Sequence, residues 1–109
     1  MEYTREEIEI FKRVIKDYEI IKKEIDSRIS KGYKLEDLHD YIRHLSSCSI
    51  SNYEENEYFD FYYCDTILTI STYGGLGLSD EIEIFNDEKM YHIGTFNNIK
   101  EIKDIIGDE

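Results

Sequence analysis

Apolar residues at Ile8, Phe11, Val14, Ile15, Tyr18, Ile21, Ile25 and Ile29 recur three and four positions apart, the spacing of one face of an α-helix. The start of this helix is marked by Thr4, whose hydroxyl can cap free backbone N–H groups, and by Glu7 three residues on. Tyr3 and Ile8 flank that pair as a hydrophobic staple would. Gly32 supplies a residue that tolerates the left-handed conformation at the other end. The pattern therefore predicts a helix over 5–31, roughly 40 Å long. On its polar side Glu9 precedes Arg13 and Glu19 precedes Lys23 by one turn, two favourable acid–base pairs. Leu35, Leu38, Tyr41, Ile42 and Leu45 repeat the helical spacing over a shorter stretch, which ends in the run from Ser46 to Ser49.

Beyond this run the pattern changes. The segments 47–51, 58–64, 66–73, 81–85 and 89–94 are rich in β-branched and aromatic residues. Asn86-Asp87-Glu88 is the clearest hairpin turn. Between Tyr58 and Tyr73 no strong turn residue occurs, so that stretch reads either as two strands or as one long bent strand. The chain closes with Asn98 as a cap, Glu101 three residues on, and Ile99, Ile102, Ile105 and Ile106 on one helical face before Gly107. Helices come first and strands follow as a run, which predicts an α+β fold. Its elements are two N-terminal helices, one of them long, an antiparallel meander of about four to five strands, and a short C-terminal helix. With no repeat or linker, 1–109 reads as a single domain, with a helical part over 1–45 and a sheet with its final helix over 46–109.

Composition changes this picture in one respect, the distribution of charge. The chain has 109 residues, 40% of them apolar, enough for a core without disulfide or metal staples. Its net charge is -12. Residues 1–45 hold 11 acids and 10 bases, whereas residues 46–109 hold 14 acids and 3 bases. No Lys or Arg stands between Arg43 and Lys89. Within that interval fall Glu54, Glu55, Glu57, Asp60, Asp65, Asp80, Glu81, Glu83, Asp87 and Glu88. Acids so placed lack local bases, although Lys12, Lys16, Lys22 and Lys23 of the first helix could approach some of them.

An acidic sheet keeps its edges from pairing with other chains. It also suits a basic partner. Carboxylates repeat every second residue along one strand face, so Glu81 and Glu83 can present negative charge to Lys and Arg that normally meet phosphates. In Tyr58-Phe59-Asp60-Phe61-Tyr62-Tyr63, alternation places Phe59, Phe61 and Tyr63 on one face and Tyr58, Asp60 and Tyr62 on the other. Tyrosines favour protein contacts because they join large area to a polar tip. The expectation is a non-enzymatic binding protein that uses Glu54, Glu55, Glu57, Tyr58, Asp60, Tyr62, Asp80, Glu81 and Glu83 to hold a basic nucleic-acid-binding protein or nuclease. Nucleic acid itself is a poor partner for such a surface. In size and charge the chain is analogous to small acidic inhibitors, among them phage anti-defence proteins and immunity or antitoxin proteins.

An alternative is a small, nucleotide-type ligand held by the loop containing Tyr73, Gly74, Gly75, Gly77 and Ser79, or at a dimer interface. Glycines let backbone amides approach an anion, but the loop lacks the Lys-Ser or Lys-Thr of a Walker loop and has no evident helix after it. The apolar stripe over 5–31 could alternatively be the seam of a homodimer. His39 and His44 stand five apart, about 140° around a helix, and so share no metal-binding face. No Ser-His-Asp or Cys-His arrangement stands out, and the reading assigns no cofactor, metal or catalytic residue. Cys48 and Cys64 are not in a metal-ligand spacing and are expected as buried small hydrophobes in a reducing cytoplasm, the host's if the chain is viral. A signal peptide and a membrane span are not expected, because Met1-Glu2-Tyr3-Thr4 leads straight into charged helix and no run of 18 apolar residues exists.

Overall fold

The computed structural model describes residues 3–107. Helix α1 spans Arg5–Ser30. Its capping box forms as expected, with the Glu7 amide donating to Thr4 Oγ1 at 3.1 Å and the Thr4 amide to Glu7 Oε1 at 2.9 Å. At its far end the Gly32 amide donates to the Ile29 carbonyl and the Tyr33 amide to the Arg28 carbonyl. Gly32 sits at φ 96°, so this paired closure needs its freedom from a side chain. Helix α2 spans Leu35–Arg43, its first turn closed by the Lys34 amide donating to Asp37 Oδ2.

Six strands follow: β1 (Cys48–Glu54), β2 (Tyr58–Tyr63), β3 (Thr66–Ser71), β4 (Gly77–Leu78), β5 (Ile82–Asn86) and β6 (Tyr91–Phe96). Helix α3 (Ile99–Gly107) ends the described chain, its Glu101 amide donating to Asn98 Oδ1. All strand pairs are antiparallel, in the order β1-β2-β3-β5-β6, with β4 beside the C-terminal part of β3. The fold is α+β, with three helices and one antiparallel sheet among the described residues.

Residues 58–73 form two strands. Cys64 and Asp65 make the turn between them, with Cys64 at φ 55°. Asp65 fixes this turn through long-range bonds. Its carbonyl accepts from the Phe85 amide, its Oδ1 from the Asp87 amide, and its Oδ2 from Arg13 Nη2. None of those partners is near in sequence, which is why local turn chemistry did not reveal the break. Cys64 is consequently exposed and Cys48 only half buried, against the expectation that both are core residues; both thiols are free.

The stripe of α1 is covered by the chain's own sheet. Phe11 meets Phe96 edge to face at 5.6 Å and Tyr3 at 4.9 Å. Ile21, Ile25, Leu38, Ile42, Phe59, Phe61, Leu68, Ile70, Ile82, Ile84 and Ile102 join them in one continuous core. Full burial of each such side chain contributes about 1.5–3 kcal/mol. The polar side of α1 differs from the simple one-turn pairing: Arg13 reaches Asp65 and Glu19 reaches Lys103 of α3, so these charges join elements. The most exposed apolar side chain of α1 is Ile20, at 49%.

Candidate acidic and aromatic interface

All three helices contribute to the core on one side of the sheet. Strand residues pointing to that side are buried, and those alternating with them are half buried or exposed. No helix among the described residues covers this second face. It is built in rows by strand register: Glu54 opposite Tyr58 and Tyr58 opposite Ser71; Asp60 between Asn52 and Thr69; Tyr62 opposite Ile67 and Ile67 opposite Glu83. Residues paired in register share a face. Glu54, Tyr58, Asp60, Tyr62 and Glu83 are thereby brought together. Tyr58 accepts a hydrogen bond from Asn52 Nδ2 at 3.2 Å, and Asp60 Oδ1 accepts from Thr69 Oγ1 at 2.5 Å, so two of these groups are held in place.

The other expected contact residues lie around this face or away from it. Glu55 and Glu57 are in the β1–β2 turn, where the Glu57 amide donates to the Glu54 carbonyl and Asn56 takes φ 67°. Glu81 precedes β5, its amide donating to Ser79 Oγ. Asp80 lies toward the helices: burial first, and then its negative charge, push the Tyr18 hydroxyl up to about 12.

The glycine loop is joined to the acidic turn. The Thr72 amide donates to the Glu57 carbonyl, and its hydroxyl reaches the carbonyls of Asn56 and Glu57. Gly74 and Gly75 take positive φ, and the Gly75 amide closes a turn onto the Thr72 carbonyl. Gly77 lies in β4 and the Ser79 amide donates to the Thr69 carbonyl. Tyr73 is 65% exposed, and its hydroxyl is raised by desolvation, then by Glu57 and the nearby Glu54. Two of the amides a phosphate cradle would use are thus engaged, and carboxylates stand beside them.

Sequence reasoning missed the other end of the open face. Beyond the start of β3, Phe85 lies 6.3 Å from Tyr62 and 5.1 Å from His92, centroid to centroid. A β-bulge after Ile84 sets Phe85 opposite His92. With Asn86, Asp87, Met90 and Tyr91 these rings line a groove of about 360 Å³. Met90 is 89% exposed and holds φ 59°. The hairpin beside the groove is tied to α1: Lys89 Nζ lies 2.8 Å from Glu6 Oε1, and the Tyr91 hydroxyl donates to Glu7 Oε2 at 2.9 Å. These bonds hold the Glu6 carboxyl below its usual range, chiefly through Lys89, and the Glu7 carboxyl below its own, chiefly through the Thr4 amide. Lys89 is the one base among the strands and their turns, and it is directed to the helix.

Comparison of the chain with protein-family models, with curated proteins and with solved structures gives no significant match.

Proposed function

We propose that the chain is a non-enzymatic interaction protein whose open sheet face docks on the basic surface of a nucleic-acid-binding protein or nuclease. It would act as an inhibitor of the anti-defence, immunity or antitoxin kind, in the cytoplasm where such partners work. The observation that carries this reading is the convergence of Glu54, Asp60 and Glu83 with Tyr58 and Tyr62 on one uncovered face whose strands contain no Lys or Arg. Glu54 and Asp60 lie on the neighbouring strands β1 and β2, about 4.8 Å apart, and Glu83 lies two strands from β2 across β3, so the three carboxylates add to one negative field over the face. Lys and Arg arranged to meet a phosphate backbone suit such a field. The tyrosines supply area that can be desolvated at the centre of a contact.

A nucleotide-type ligand at Tyr73, Gly74, Gly75, Gly77 and Ser79 has less support, because Gly75 and Ser79 already donate their amides and Glu57 is adjacent. A dimer through helix 5–31 has less support as well, because the apolar stripe packs on the chain's own sheet.

The test is capture of host proteins on the immobilised chain, with free DNA or RNA added as competitor. A basic partner released by nucleic acid is the expected result. A partner whose retention is indifferent to competing nucleic acid contradicts the reading.

A further inference from the structure

The groove beyond β3 has a different chemistry from the acidic rows. Tyr62, Phe85 and His92 form a chain of ring contacts along one wall, and Met90 projects almost fully into solvent beside them. Asp87 stands at the rim in the same groove. Burial, followed by the charge of Asp65, raises the Asp87 carboxyl above its usual range, so an added cation there would be favoured. Arg13 is engaged with Asp65 at 3.3 Å, and Lys89, in the same turn as Asp87, is engaged with Glu6 at 2.8 Å.

Resting on the docking reading above, we infer that this groove receives an arginine side chain of the basic partner, its guanidinium stacked on Phe85 and Tyr62 and directed to the Asp87 carboxylate. Three features select arginine. The site ends a face whose strands contain no Lys or Arg, and Lys89 of its turn is engaged with Glu6, so the carboxylates there favour a cationic occupant. Its walls are aromatic, and a planar guanidinium stacks on such rings while an ammonium is more strongly hydrated. Its carboxylate can take the paired N–H donors of a guanidinium fork. In the acidic rows Tyr58 stands apart from the ring chain of Tyr62, Phe85 and His92, so Glu54, Asp60 and Glu83 attract either base chiefly through charge.

The two contributions separate in a peptide experiment. Binding of acetylated, amidated hexa-arginine and hexa-lysine would be measured by fluorescence anisotropy on the intact chain at low salt. Wild type is expected to bind hexa-arginine about threefold to fivefold more tightly than hexa-lysine, the scale of an exposed cation–π contact. Phe85→Leu, which keeps apolar volume and removes the ring, is expected to abolish that preference while leaving hexa-lysine affinity unchanged. Asp87→Asn should weaken hexa-arginine more than hexa-lysine, and circular dichroism would confirm that both variants fold. Persistence of the arginine preference in Phe85→Leu, or equal affinities in wild type, overturns the groove assignment while the docking face stands. Absence of binding to either peptide overturns both.

Discussion

Across β2 and β3 the Thr69 hydroxyl donates to Asp60 Oδ1 at 2.5 Å, on the face of the sheet that no helix covers. A carboxylate at the middle of an acidic face is therefore oriented by its neighbour. Thr69→Val removes the donor and keeps the shape. It is expected to lower stability by about 1 kcal/mol in urea unfolding and to leave hexa-lysine affinity within a factor of about two, because the charge of Asp60 remains. A large loss of affinity would mean that the orientation of Asp60, not its charge, governs binding.

The two faces of β2 should respond very differently to truncation. Phe59 is fully buried and contacts His39, Tyr53 and Phe61, whereas Tyr62 is 40% exposed. Phe59→Ala is expected to cost about 3–5 kcal/mol, a large part of the stability of a small domain. Tyr62→Ala should cost about 1 kcal/mol or less. Equal costs in chemical denaturation would place a cover on the open face.

Cys64 holds φ 55° in the β2–β3 turn, a left-handed conformation that costs a non-glycine residue about 1–2 kcal/mol. Cys64→Gly relieves that cost and adds the unfolded-state entropy of glycine, about 0.5–1 kcal/mol. Unfolding measurements should show the variant equal to or slightly more stable than wild type. Cys64→Ile should be less stable than either, since a β-branched side chain fits this conformation worst.

Tyr18 of α1 contributes to the alkaline limb of stability. Its folded value is raised to about 12 from an ordinary 10.0, with burial as the main cause and Asp80 and Asp26 adding to it. Between those values the folded state keeps the proton that the unfolded state has released. The contribution is therefore complete below pH 10 and is lost as pH rises toward 12. Tyr18→Phe has no proton to release, so its stability should fall less than that of wild type over this window.

Local chemistry made much of the fold legible. Thr4 with Glu7, Gly32, Asn98 with Glu101, and the Asn86-Asp87-Glu88 turn all act as their residue types imply. Alternation also placed Tyr58, Asp60 and Tyr62 on one face correctly. What escaped depends on contacts distant in sequence. Asp65 makes its turn through Arg13, Phe85 and Asp87. The wall of Tyr62, Phe85 and His92 arises because the pairing of β3 with β5 stops at Thr66 and Ile84, short of Phe85, and a bulge aligns Phe85 with His92. Asp80 was grouped with Glu81 and Glu83 by sequence proximity, yet the irregular segment between β4 and β5 turns it toward Tyr18.

The central claim is that the open face attracts its partner through charge. The most direct measurement is the affinity of a captured partner between about 0.05 M and about 0.5 M salt, for wild type and for a chain carrying Asp60→Lys, Glu81→Lys and Glu83→Lys together. The account predicts a steep fall with salt in wild type, and at least a tenfold loss at low salt in the triple variant with a flattened salt dependence. Affinity indifferent to salt, or preserved in the triple variant, would contradict it.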